Sequence, residues 1–128
     1  MFFSLFSVLL FSCTRSTGEY SGYCNFSDGQ YGPYASIDFE LGRSWSGALG
    51  GAGRISFPEL GLFDLSVQSE RAGNITTITM FFADEGDEYD LIFTGEWDAK
   101  ELEGSCELYV PAADYPVLGE GELEKLGF

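Results

Sequence analysis

No histidine occurs in the 128 residues, which removes the commonest general base, the usual zinc ligand and every Ser-His-Asp or Cys-His arrangement. Positive charge is almost as scarce. Six Lys and Arg face 21 Asp and Glu, a net charge of −15; such a field repels phosphate backbones and excludes nucleic acid as a partner. The longest apolar run, Phe2 to Phe11, falls short of the ~20 residues of a membrane-spanning helix. There is no Walker loop, dinucleotide fingerprint or Cys-x-x-Cys pair, and Gly47, Gly50, Gly51 and Gly53 lack the Lys and following helix of a phosphate loop. No catalytic residue and no cofactor is expected, and the chain reads as a non-enzyme.

What is present is aromatic. Twelve Phe, 7 Tyr and 2 Trp suffice for a core in one domain, and 16% aromatic content argues against disorder. The excess acids read first as a solvated surface, with cations or a basic partner as the sharper alternative.

Residues 1–12, MFFSLFSVLLFS, have the length of a secretory h-region and end at small and polar residues. Leu10-Phe11-Ser12-Cys13 resembles the lipobox of bacterial lipoproteins, although Phe11 departs from the usual small or β-branched residue. That resemblance implies cleavage before Cys13, acylation at Cys13, and a polar tether over 13–18 leading to a domain over 19–128. Cleavage after Gly18 is the alternative and would release the domain freely. A surface at −15 cannot hold an anionic membrane by charge, and a single acyl chain binds only marginally, so several chains would do the anchoring.

From residue 19 the period is two. Ala35, Ile37, Phe39 and Leu41 alternate with Ser36, Asp38 and Glu40; Leu91, Phe93, Gly95 and Trp97 alternate with Ile92, Thr94 and Glu96. Alternation of this kind means strands with one face in a core and one in water. Turn signals divide the chain into about eight strands: 19–26, 34–41, 44–50, 61–70, 74–83, 88–97, 101–110 and 119–126. Short connections favour hairpins between neighbours. The expected fold is therefore all-β, an antiparallel up-and-down meander forming a closed or nearly closed barrel, with an open sandwich as the alternative. Gly22, Gly95, Gly104 and Gly121 within strands suit sharp coiling. The meander resembles small calycin-type barrels, the lipocalin and avidin-like architectures, with Gly18-Glu19-Tyr20 where lipocalins open on Gly-x-Trp. The resemblance is one of pattern and carries no ligand residues.

Cys24 and Cys106 both fall on the inward phase. With Cys13 committed to lipid, the remaining pair is the arithmetic of one disulfide in an exported protein. Tyr20, Phe26, Phe39, Phe63, Phe93 and Trp97 share the expected interior, either as plain core or as the lining of a cavity for a small apolar ligand. The acids Asp84, Asp87 and Asp90 read as a charged hairpin tip, with Ca²⁺ as a weak alternative lacking EF-hand spacing. These features together lead to the expectation of an exported, lipid-anchored, non-enzymatic barrel in the cell envelope, serving as a surface binding or interaction module with a protein partner. A carrier of a small hydrophobic ligand, or a carboxylate-dependent hydrolase, are the alternatives.

Overall fold

A computed structural model describes residues 17–27, 31–43, 49–111 and 113–126. The expected signal peptide over 1–12 and the lipidated Cys13 lie outside the described residues. Eight antiparallel strands follow one another: β1 (Gly18–Phe26), β2 (Tyr34–Arg43), β3 (Leu49–Phe57), β4 (Gly61–Ala72), β5 (Ile75–Asp84), β6 (Asp87–Asp98), β7 (Glu101–Tyr109) and β8 (Val117–Leu126). Each pairs with the next, and β8 pairs with β1, so the sheet is a closed barrel. Closure leaves no unpaired strand edge to template aggregation. The fold is all-β and fits a calycin-like barrel.

Binary patterning explains the strands. In β2 the inward Ala35, Ile37, Phe39 and Leu41 are buried, while the outward Ser36, Asp38 and Glu40 are exposed. In β6 Leu91 and Phe93 are fully buried, and burying one such side chain contributes roughly 1.5–3 kcal/mol. Turn chemistry sets the register. The β5–β6 hairpin closes on the Asp84–Asp87 pair, and its two central residues, Glu85 and Gly86, have φ of 51° and 89°. Positive φ at both centres matches the right-handed twist of the flanking strands.

The third strand departs from the expected one. Residues 44–50 were the expected span, with the Gly50–Gly53 stretch as a break, yet β3 runs Leu49–Phe57 straight through those glycines, and 44–48 lie outside the described residues. The glycines serve close packing rather than turning. Gly51 and Gly53 pair with Leu41 and Phe39 of β2, and a Cβ at either would run into the carbonyl oxygen of Glu40 or Asp38. The connection that follows is instead Pro58–Leu60, entering β4 at Gly61 with φ of 102°.

Cys24 of β1 and Cys106 of β7 form a disulfide, both sulfurs buried. The bridge crosses β8 on the inner face. Two strand spacings in a flat sheet would separate these residues by ~9.6 Å; their Cα atoms are 6.3 Å apart, so the sheet bends sharply at β8. Gly121, opposite Cys24, and Gly119, opposite Cys106, make room for the bend. A Cβ on Gly121 would lie 3.0 Å from the Cys106 sulfur and closer still to the Tyr23 carbonyl.

Candidate functional site

The inward aromatics gather in two groups. Where β1 begins and β6 ends, Tyr20 stacks on Phe39 with centroids 5.1 Å apart and meets Trp97 at 6.2 Å. At the opposite end Phe57, Phe63, Phe82 and Tyr89 form a chain of ring contacts between 4.9 and 6.2 Å. Phe93 and Phe26 are buried in the same core. Of the six residues expected inside, Tyr20, Phe26, Phe39 and Phe93 are buried, and Phe63 and Trp97 are half-buried against the cluster. Trp97 is held in place by the neighbouring hairpin: its Nε1 donates to Thr76 Oγ1 at 2.8 Å, and Asn74 Nδ2 donates to its carbonyl at 3.1 Å. The Arg71 guanidinium sits 5.5 Å from the Trp97 ring centroid, a cation–π contact. Burial pushes the Tyr20 hydroxyl up to about 12, partly opposed by the positive charge of Arg71.

The acids expected at the hairpin tip are placed there. Asp84 and Asp87 face each other across the β5–β6 turn and Asp90 lies farther along β6. The carboxylates that converge are others. One oxygen from each of Glu101, Glu103 and Glu122 lies within 4.8 Å of the rest.

Register explains this convergence. Across β6, β7 and β8, Glu96 pairs with Glu103 and Glu103 with Glu122; Asp98 pairs with Glu101 and Glu101 with Glu124. These are four like-charge cross-strand pairs on one outer face. Among the described residues no Lys or Arg occupies an outer position of these three strands. Opposed like charges destabilise a sheet, and Glu101 registers it: Glu122 first, then partial burial and a shared hydrogen bond with Glu122, with Glu124 and Asp98 adding, raise its carboxyl above the ordinary value. A shallow cleft on this face is lined by Thr94, Glu96, Asp98, Glu103, Ser105 and Glu120. Toward the far end the same face becomes amphipathic. Leu118 is 61% exposed, and Tyr109 donates through its hydroxyl to Glu107 Oε2 at 2.9 Å, which raises the phenol above its usual range. By contrast Arg54, the one cation on an outward strand position among the described residues, stands 3.9 Å from Asp64 in an exposed pair on the other side of the barrel.

Alternation alone puts these acids outside. What it does not reveal is that they share rows, because the rows follow from the β7–β8 register, where Gly104 meets Gly121. The chain matches no model of a known protein family, and no curated protein is similar to it in sequence.

Proposed function

We propose that the chain is an exported, lipid-anchored, non-enzymatic barrel in the cell envelope, and that it acts as an interaction module for a basic protein surface. The observation that carries this reading is the outer face of β6–β8, with its in-register carboxylates and, among the described residues, no Lys or Arg at an outer position of these strands. Repulsion within those rows costs stability in the free protein, and a partner presenting Lys or Arg would relieve it on docking. Binding is then favoured by the same charges that disfavour the empty face. Tyr109 and Leu118 at its border supply an amphipathic ring and an apolar side chain of the sort that anchors interfaces. Acylation at Cys13 would concentrate the module at a membrane surface, and the buried disulfide is in keeping with export to an oxidising compartment.

The test compares two triple variants with equal charge change. Decalysine is titrated against the wild type, against Glu101→Gln/Glu103→Gln/Glu122→Gln, and against Asp84→Asn/Asp87→Asn/Glu88→Gln at the hairpin tip. The face variant should weaken binding at least tenfold and the tip variant less than threefold. Equal losses would mean that the peptide senses only net charge, and the face would lose its claim.

A further inference from the structure

The exposed apolar side chains of the barrel are not spread evenly. Of the seven large ones exposed among the described residues, Tyr34, Tyr109, Tyr115 and Leu118 belong to β2, β7, the β7–β8 connection and β8. All four lie where β1 and β7 end and where β2 and β8 begin. Tyr23, on the outer phase of β1, stacks on Tyr34 with centroids 5.0 Å apart. Register sets polar side chains beside these rings: Ser105, Glu120, Asn25 and Tyr34 follow one another across β7, β8, β1 and β2. One row farther along, Glu107 stands opposite Leu118. The result is an open trough of about 630 Å³ lined on its outer side by Asn25, Ser27, Ser105, Glu107, Leu118 and Glu120. A smaller depression of about 260 Å³ shares Asn25 and Glu120 with it and continues it to Tyr23. Among the described residues no Lys or Arg lines either one.

We infer that this trough is a carbohydrate site whose ligand is an oligosaccharide of amino sugars. A sugar ring presents an apolar face bounded by hydroxyls, and the trough offers counterparts to both. Tyr23, Tyr34 and Tyr109 supply flat faces that end in hydroxyls. Asn25, Ser27 and Ser105 are exposed, and each can both donate and accept. A hydroxyl-bearing ligand needs that double capacity, whereas a run of ammonium groups needs acceptors alone. Glu107 is already positioned, since Tyr109 donates to its Oε2 at 2.9 Å, which leaves Oε1 to accept from a ligand. Charge then selects among sugars. Glu107 and Glu120 repel a uronic, sialic or sulfated glycan, while an ammonium is drawn both to them and to the electron-rich ring faces. Size separates this from a bare ion site: about 630 Å³ falls within the roughly 300–1,000 Å³ of small-molecule sites. The inference does not rest on the basic-protein reading, because the Tyr23–Tyr34 stack and Asn25, on β1 and β2, lie beyond the β6–β8 face.

The full chain, labelled with fluorotyrosine, is titrated with a β-1,4-linked glucosamine pentasaccharide, its fully N-acetylated counterpart, and pentalysine. At about pH 5.5 ordinary amines are protonated and ordinary carboxylates ionised. The glucosamine pentasaccharide should move the fluorine resonances of Tyr34 and Tyr109 and leave that of buried Tyr20 in place. The acetylated sugar should bind at least threefold more weakly. Tyr34→Ala/Tyr109→Ala should weaken the glucosamine pentasaccharide at least fivefold yet change pentalysine less than twofold. Intact Cys24–Cys106 pairing and an unshifted Tyr20 resonance show that this variant has folded. Glu107→Gln/Glu120→Gln should also cost the sugar at least fivefold, and the equal charge change Asp84→Asn/Asp87→Asn at the hairpin tip less than twofold. Still Tyr34 and Tyr109 resonances, equal losses for sugar and pentalysine, or equal losses from the two charge variants overturn the site. Equal binding of the acetylated sugar overturns the assignment to amino sugars. Loss of pentalysine binding at the carboxylate rows would instead count against the basic-protein reading and leave the sugar result unaffected.

Discussion

Removing the Cys24–Cys106 bridge should cost this barrel a large share of its stability. The cysteines are 82 residues apart in sequence, and for a loop of that length the chain-entropy model gives about 4.5 kcal/mol at 25 °C. A domain of this class has a total stability of roughly 5–15 kcal/mol, so the bridge stands between a stable barrel and a marginal one. Both cysteines are fully buried, and Cys24→Ala/Cys106→Ala also leaves a small void between β1 and β7. Guanidinium unfolding of oxidised wild type and the double variant at pH 7 should show a loss of about 3–5 kcal/mol. The variant should also unfold with a steeper denaturant dependence, because its unfolded chain is no longer held compact. A loss below about 1 kcal/mol with unchanged steepness would refute the reasoning. It would mean that closure of β8 onto β1 and β7 rests on the ladder alone.

Gly104→Ala places a Cβ against the Thr94 carbonyl and 2.6 Å from the Gly95 Cα; the backbone must shift, and a chemical-denaturation loss of about 1–3 kcal/mol is expected, whereas the same change at Gly42, which meets nothing within 4 Å, should be near neutral. Glu101 has its folded pKa raised by its acidic neighbours, so the folded state holds this proton more tightly than the unfolded chain and the group's contribution worsens as pH rises through that window. Glu101→Gln should therefore raise the melting temperature at pH 7, with the gain shrinking below the ordinary carboxylate range, and a gain independent of pH would contradict the assignment. Tyr20, raised to about 12, ionises in the unfolded chain before it does in the fold. Wild type should consequently lose stability relative to Tyr20→Phe between pH 10 and about 12, and parallel melting curves over that range would count against burial of the hydroxyl.

Much of the barrel is legible in the alternation, because one-sided burial writes a period of two into strands such as β2 and β6. The third strand is not, since Gly50-Gly51-Ala52-Gly53 reads equally as a turn or as a strand pressed against its neighbour. Only the proximity of the β2 carbonyls decides between them. The acidic rows stayed hidden for a related reason. The tight Ala99–Lys100 turn implies that Asp98 opposes Glu101, but the longer connection between Tyr109 and Val117 leaves the β7–β8 register open. Arg43, Arg71, Lys100 and Lys125 are farther apart still in sequence and share one end of the barrel only because alternate connections of a meander do. The disulfide was legible through phase and parity, whereas the bend that brings its Cα atoms to 6.3 Å was signalled by glycines whose alignment the sequence does not display.

The central claim, an anchored module of an oxidising envelope, is tested most directly by the intact mass of protein isolated from the producing cells, with and without reduction. The account predicts a chain beginning at Cys13, carrying acyl mass, and gaining two hydrogens when the Cys24–Cys106 bridge is reduced. A chain that retains Met1 with three free thiols would contradict it.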